Sequence, residues 1–233
     1  MTIAIVLAGG LGTRLRSVVS DLPKPMAPVN KRPFLEHLLE YWTEEGVTRF
    51  ILSVGYKHEL ISDHFGTEFM GVPVEYAVED TPLGTGGGLV LAMDLVAGDD
   101  RVLALNGDTF FMANLSQLHK FASDNHADWC FSLFRSNDIS RYMGMSVSDE
   151  GRVISLKDRS DTGVPLVNGG AYLASPAAIK GKYQAGEKLS LEDDIFQHAL
   201  DDHLRIFGME FPGTFIDIGI PDDYHRAKKT LTK

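Results

Sequence analysis

Ile3-Ala4-Ile5-Val6-Leu7-Ala8 runs without a break into Gly9-Gly10-Leu11-Gly12-Thr13-Arg14-Leu15. The first six residues are apolar throughout rather than alternating, the pattern of a central strand covered on both faces. The three glycines that follow let the backbone approach a ligand closely and turn successive N–H groups into one concavity that suits phosphate. The same glycines would also serve a tight strand-to-helix turn. Arg14 shifts the balance, because a guanidinium held in such a turn can grip phosphate oxygens bidentately. Two common phosphate loops are excluded. The pattern G-x-x-x-x-G-K-[ST] is absent, and a dinucleotide fingerprint through Gly10 and Gly12 would need a third glycine where Leu15 stands.

Working outward, short apolar runs alternate with amphipathic stretches. Residues 50–54, 74–78 and 102–105 read as further buried strands. Residues 35–45, 60–65 and 87–96 read as helices, the first with Leu35, Leu38, Leu39 and Trp42 on one face. Strand–helix alternation implies a parallel sheet with helices on both sides. Beyond residue 128 the strand-like runs 129–134, 143–147, 153–156, 167–173 and 215–218 lie closer together. Helices are fewer there, one around 192–200 and a last one from Pro221. This half reads as a mixed extension of the sheet that completes a substrate pocket.

The 233 residues suit one large α/β domain, and no linker, repeat or low-complexity stretch divides them. A net charge of −10 argues against nucleic acid and against an anionic membrane surface as partners. No run approaches a membrane span, and the N-terminus lacks the basic region of a signal peptide. The single cysteine, Cys130, lies in an apolar run and reads as a small buried hydrophobe. One cysteine also suits a reducing compartment, so the expected location is the cytoplasm. If the substrates are anions, cations must be gathered locally against an acidic background.

Pro23-Lys24-Pro25-Met26-Ala27-Pro28-Val29 supplies such a cation. Prolines on both sides fix the backbone around Lys24 and keep it out of helix. A solvated lysine in a proline loop is the alternative. With this segment beside Leu7–Leu15, the chain resembles the sugar-nucleotide pyrophosphorylase family, the sugar-1-phosphate nucleotidyltransferases. Pro82-Leu83-Gly84-Thr85-Gly86-Gly87-Gly88-Leu89, Asn106-Gly107-Asp108, Asn168-Gly169-Gly170 and Phe215-Ile216-Asp217-Ile218-Gly219 extend the resemblance over nearly the whole chain in the family's order. The two N-terminal motifs are very specific, whereas any later one is weak alone.

The resemblance implies a single nucleotidyltransferase domain over 1–233 with a Rossmann-like, three-layer α/β fold. Its central sheet would be mixed and mostly parallel, with the N-terminal part binding nucleotide and the C-terminal part sugar phosphate. It implies in-line attack by a sugar 1-phosphate oxygen on the α-phosphorus of a nucleoside triphosphate. Two polyanions must meet, so catalysis is mostly positioning and charge neutralisation. By resemblance Arg14 holds the leaving pyrophosphate and Lys24 the α-phosphate region. Leu7, Ala8, Gly9, Gly10, Gly12, Thr13, Glu79 and Gly84 would form the nucleotide site. Asp108 and Asp217 look like ligands of Mg²⁺, which needs few protein carboxylates beside phosphate and water. Asn168 and Gly169, with Gly144 in another segment, resemble the sugar side. Glu192-Asp193 matches an acidic sugar-side position loosely and would equally suit a helix N-terminus. Where the family usually has Glu-Lys-Pro near the sugar phosphate, this chain has Leu156-Lys157-Asp158-Arg159-Ser160. Asp158 and Arg159 would stand in for the usual pair, with Lys157 as an alternative source of charge.

Glu79 precedes the loop that meets the base in the family. A carboxylate accepts only, which matches guanine's adjacent ring N–H and amine and favours GTP. A solvated loop glutamate is the alternative. Residues 14–29 most resemble the D-glycero-α-D-manno-heptose 1-phosphate guanylyltransferase branch, which makes GDP-heptose for bacterial surface polysaccharides. Mannose 1-phosphate, glucose 1-phosphate, UTP and dTTP remain the alternative substrates, and a homo-oligomer is compatible with the sequence. No hexapeptide repeat follows the domain, so no second acyltransferase activity is expected. A glycosyltransferase would show Asp-x-Asp where Asp108-Thr109-Phe110 stands, an inactive homologue would have lost its charged residues, and the eight histidines show no close ligand spacing.

Overall fold

The strand at the start of the chain, Ile3–Leu7 (β1), is the middle of a ten-stranded sheet. The computed structural model describes residues 1–10, 21–136, 138, 144–158 and 164–232. In chain order the next elements are β2 (Pro28–Val29), β3 (Arg32–Pro33), α1 (Phe34–Glu44), β4 (Arg49–Val54), α2 (His58–Phe65), β5 (Glu68–Phe69) and β6 (Val72–Val78). Then come α3 (Gly84–Met93), β7 (Val102–Asn106), β8 (Thr109–Phe111), α4 (Leu115–Asp124), β9 (Trp129–Arg135), β10 (Gly144–Val147) and β11 (Val153–Asp158). The rest is β12 (Leu166–Ala174), α5 (Phe196–Asp201), β13 (Ile206–Glu210), β14 (Phe215–Asp217) and α6 (Pro221–Thr230).

β1 pairs in parallel with β4 on one side and β7 on the other, and β4 pairs in parallel with β6. Past β7 the sheet turns mixed. β12 runs antiparallel to β7, β9 and β10, while β13 lies parallel to β9. The sheet is covered on both faces, and β1 shows why its run is apolar throughout. Ala4 and Val6 enter one core with α1, α2, α4 and α6, whereas Ile5 enters the other with α3 and α5. Each large apolar side chain taken out of water in this way contributes roughly 1.5–3 kcal/mol. On α1, Phe34, Leu35, Leu38, Leu39 and Trp42 form the buried stripe that their spacing dictates. Cys130 is fully buried, and burial pushes its thiol up to about 12, so it is a packing group.

Three elements differ from the sequence reading. The helix expected over 87–96 begins at Gly84 and ends at Met93, because Gly86 and Gly87 already donate their amides to the Leu189 carbonyl. The expected helix over 192–200 opens as a π-helical turn, Leu191–Ile195, before α5. The strand at 215–217 leaves the central sheet and pairs with β8 as a separate ladder. β13 and α4 were not read from the sequence. β13 has a glycine at its middle, and α4 is mostly polar, held by Leu115, Leu118 and Ala122 and capped by Asn114, whose Oδ1 accepts from Gln117 N–H at 2.9 Å.

Candidate active site

The C-terminal ends of β1, β4 and β7 open into a cleft of about 590 Å³. Leu7, Ala8, Gly9, Gly10 and Gly84, all expected at the nucleotide, line it together with Lys24, Glu79, Asp108 and Asp217. Ser53, Thr85, Asn106, Lys188 and Glu192 line it too and were not assigned to the nucleotide from the sequence. Gly12, Thr13 and Arg14 lie outside the described residues.

On the cleft floor the Lys24 ammonium lies 2.5 Å from Asp108 Oδ2 and 3.6 Å from Asp217 Oδ1. Lys24 begins a short 3₁₀ turn, Lys24–Met26, between Pro23 and Ala27, and is buried. The β8–β14 ladder explains how the two aspartates meet. Asp217 is in register with Thr109, and Ile218 N–H donates to the Asp108 carbonyl at 3.1 Å. Gly219 N–H then donates to Asp217 Oδ1 at 2.7 Å, fixing that carboxylate. The two carboxylates converge on the Lys24 ammonium, and a hard divalent ion of the Mg²⁺ type, which takes one or two carboxylates and draws its other ligands from phosphates and water, would have to share them with it. No group of three or more His, Cys, Asp or Glu able to hold a metal occurs among the described residues.

Glu79 lines the same cleft, half-buried just after β6. Its Oε2 accepts from Leu83 N–H at 2.9 Å and its Oε1 from the Ser53 hydroxyl at 3.3 Å. A Cβ at Gly88 would stand 2.6 Å from Ser53 Oγ and 2.9 Å from Glu79 Oε1, and one at Gly9 would also collide with that carboxylate. Both glycines therefore make room for Glu79 as well as for a ligand. Burial pushes the Glu79 carboxyl above the usual glutamate range, against the opposing pull of Leu83 N–H and Ser53.

A second cleft of about 330 Å³ adjoins the first through Asn106, Thr109, Glu192 and Asp217. Asn168 and Gly170 line it from β12, and Lys157 lines it from β11. The Asn168 side chain is partly committed within the protein, donating to the Tyr172 hydroxyl at 2.7 Å and accepting from Gly170 N–H at 2.8 Å. Gly169 faces the Phe111 ring rather than this cleft, and Gly144 lies beside the lining Met145, across from Asp158 in the β10–β11 ladder. The Asp158 side chain, and Arg159 with it, lie outside the described residues, as do Tyr142, Met143 and Ser160. Lys157 Nζ is 2.7 Å from Asp193 Oδ1. Asn106 Oδ1 is buried between the two clefts with no hydrogen-bond partner among the described residues.

The segment before the π-helical turn joins the two clefts. Leu189 donates its amide to Leu83 O at 2.9 Å, and its carbonyl accepts from Gly86 and Gly87. Gly84, at φ +76°, leaves the space this segment fills, since a Cβ there would stand 2.6 Å from the Leu189 oxygen. Among the described lining residues of the larger cleft, Glu79, Asp108, Glu192 and Asp217 oppose only Lys24 and Lys188. Lys24 is already taken by two carboxylates, so Lys188 is the lining cation without an acidic partner among the described residues.

A family model described as nucleotidyl transferase matches residues 3–233. The D-glycero-α-D-manno-heptose 1-phosphate guanylyltransferase of Aneurinibacillus thermoaerophilus is 39% identical over 228 residues, 98% of this chain and 97% of that one. The Campylobacter jejuni enzyme of the same name is 40% identical over 222 residues, 95% and 96% of the two chains. Among solved structures, HddC from Yersinia pseudotuberculosis complexed with GMP-PN superposes with a TM-score of 0.86 at 32% identity, covering 100% of both chains.

Proposed function

Because the chain belongs to the nucleotidyl transferase family, we propose that it joins GTP to D-glycero-α-D-manno-heptose 1-phosphate, giving GDP-heptose and pyrophosphate. The observation that carries the reading is the Lys24–Asp108–Asp217 constellation at the junction of a larger and a smaller cleft. An in-line transfer needs its charge compensation at such a junction. The larger cleft takes the triphosphate along Leu7–Gly10, with Glu79 toward the base. The smaller one takes the sugar 1-phosphate between Asn168, Gly170, Lys157 and Glu192.

The sugar phosphate oxygen attacks the α-phosphorus, the bond to the bridging oxygen between the α- and β-phosphorus breaks, and pyrophosphate leaves with that electron pair. Lys24 offsets charge at the α-phosphate, and Arg14 does so at the pyrophosphate. Asp108 and Asp217 would hold Mg²⁺, which supplies further charge neutralisation when bound. Guanine is favoured by the acceptor-only Glu79, by the guanylyltransferases that share 39% and 40% identity with this chain, and by the GMP-PN complex of HddC. Such a product would feed surface polysaccharide assembly from the cytoplasm, where GTP is available. No helix among the described residues is long and apolar enough to cross a membrane.

Pyrophosphate release, measured for GTP, UTP and dTTP against heptose, mannose and glucose 1-phosphates, tests the reading. GTP with the heptose 1-phosphate should give the highest kcat/KM, and a preference for any other pair overturns it.

A further inference from the structure

Thr85 belongs to the first turn of α3 and lines the larger cleft, and its hydroxyl is bonded to the turn that carries Glu192, which lines both clefts. Thr85 Oγ1 accepts from Leu191 N–H at 2.9 Å. A threonine hydroxyl has a single hydrogen, and accepting from Leu191 leaves that hydrogen free to donate. It points to Glu192 Oε2 at 3.4 Å, where the Ser190 hydroxyl also stands at 3.4 Å. Leu191–Ile195 is π-helical, a rare local geometry that is frequent at functional sites. The two backbone bonds from the start of α3 to the Leu189 carbonyl and the Thr85 bond to Leu191 together fasten the N-terminal side of that turn.

We propose that Thr85 is a positioning residue for the sugar 1-phosphate. From the nucleotide side of the junction it sets where the Glu192 carboxylate stands. The inference rests on the assignment of the smaller cleft to the sugar phosphate. It makes the placement of a group that meets one substrate depend on the helix start that borders the other.

Thr85→Val removes the hydroxyl at nearly constant shape, and Thr85→Ser keeps it. Initial rates are measured with whichever triphosphate and sugar 1-phosphate the wild type turns over fastest. Thr85→Val should raise KM for the sugar 1-phosphate about tenfold while KM for the triphosphate stays within about twofold. Thr85→Ser should remain within about threefold of wild type on both. In a Thr85→Val/Glu192→Gln double variant the effects should overlap, giving little more than the larger single loss. Equal rises in both KM values, or effects that multiply in the double variant, overturn the inference. If Thr85→Val does not fold, Thr85→Ala read against Thr85→Ser makes the same comparison. A wild type that prefers another substrate pair overturns the GTP–heptose reading alone, and the Thr85 test then proceeds on that pair.

Discussion

Lys24 and Asp108 meet with 2.5 Å between Nζ and Oδ2 although 84 positions separate them in the chain. The lysine is the buried partner, at 9% exposure against 37% for the aspartate, so the ammonium is a fixed part of the floor. Prolines at 23 and 25 stiffen the backbone beneath it. A cation held in advance costs no reorganisation as charge develops at the phosphates.

Lys24→Ala should therefore lower kcat by at least ~100-fold. Arg14→Ala should do the same, on the strength of its motif. Pyrophosphate release reads the loss, and circular dichroism checks that each variant is folded. Near-normal turnover in a folded Lys24→Ala protein would remove the role assigned to the ammonium.

Activity should require a divalent ion and vanish in excess chelator. Asp108→Asn and Asp217→Asn each remove a carboxylate charge at almost constant shape, so activity should collapse in each, with metal affinity suffering more than the melting temperature. Titrating Mg²⁺ into the chelated wild type and both variants separates the two effects. Unchanged turnover in chelator would end the metal reading.

How much of this was legible in the sequence depends on the range of the interaction. Continuous apolar runs marked β1, β4 and β7 because burial on both faces demands them, and the motif residues Gly9, Lys24, Glu79, Asp108 and Asp217 do converge on one cleft. The β8–β14 ladder was not legible, because three-residue strands carry no periodicity and the pairing joins residues distant in the chain, such as Thr109 and Asp217. Ser53 looked like an ordinary residue within a strand, and only the fold shows it against Glu79. Lys188 and Thr85 became site residues through the packing of residues 187–190 onto α3. Gly84 and Gly86 fall just before the helix expected over 87–96. Part of their role is steric, since they admit that packing.

Gly84→Ala tests that steric role. The residue has φ +76°, and the added Cβ would press on the Leu189 carbonyl. A non-glycine residue in a left-handed conformation costs about 1–2 kcal/mol before the clash is counted. For a chain of this size each kcal/mol lowers Tm by about 2–4 °C. A loss of several degrees is expected, and a Tm within one degree of wild type would show that the segment at Leu189 adapts freely.

The raised Glu79 carboxyl predicts two opposite pH trends. A group whose folded pKa lies above its unfolded value contributes stability that is complete below the unfolded pKa and is lost as pH rises through the folded one. Relative to Glu79→Gln, the ligand-free wild type should thus gain stability as pH falls from neutral through that window. Guanine binding needs the ionised acceptor, so KM for GTP should rise over the same fall in pH. The variant should lack both trends. Parallel pH profiles of Tm and KM for the two proteins decide it.

The sharpest test concerns base choice. Each Glu79 oxygen already accepts one hydrogen bond, from Ser53 or from Leu83, and each keeps a lone pair that a guanine donor can use. The two internal bonds therefore hold the carboxylate in place without exhausting it. A good bidentate contact to a base edge is worth roughly 1–3 kcal/mol, or about 5- to 150-fold in discrimination. Glu79→Gln leaves one acceptor and sets an amide donor against either Leu83 N–H or guanine's own donors. The GTP-to-UTP ratio of kcat/KM should narrow by that margin. UTP use could also rise in absolute terms, because the new donor can meet a uracil carbonyl. Ser53→Ala should narrow the ratio less, since it loosens the carboxylate without removing it. If Glu79→Gln keeps the wild-type ratio, Glu79 is a packed carboxylate with no part in reading the base. Guanine preference would then have to come from backbone groups along Leu7–Gly10 and at Gly84.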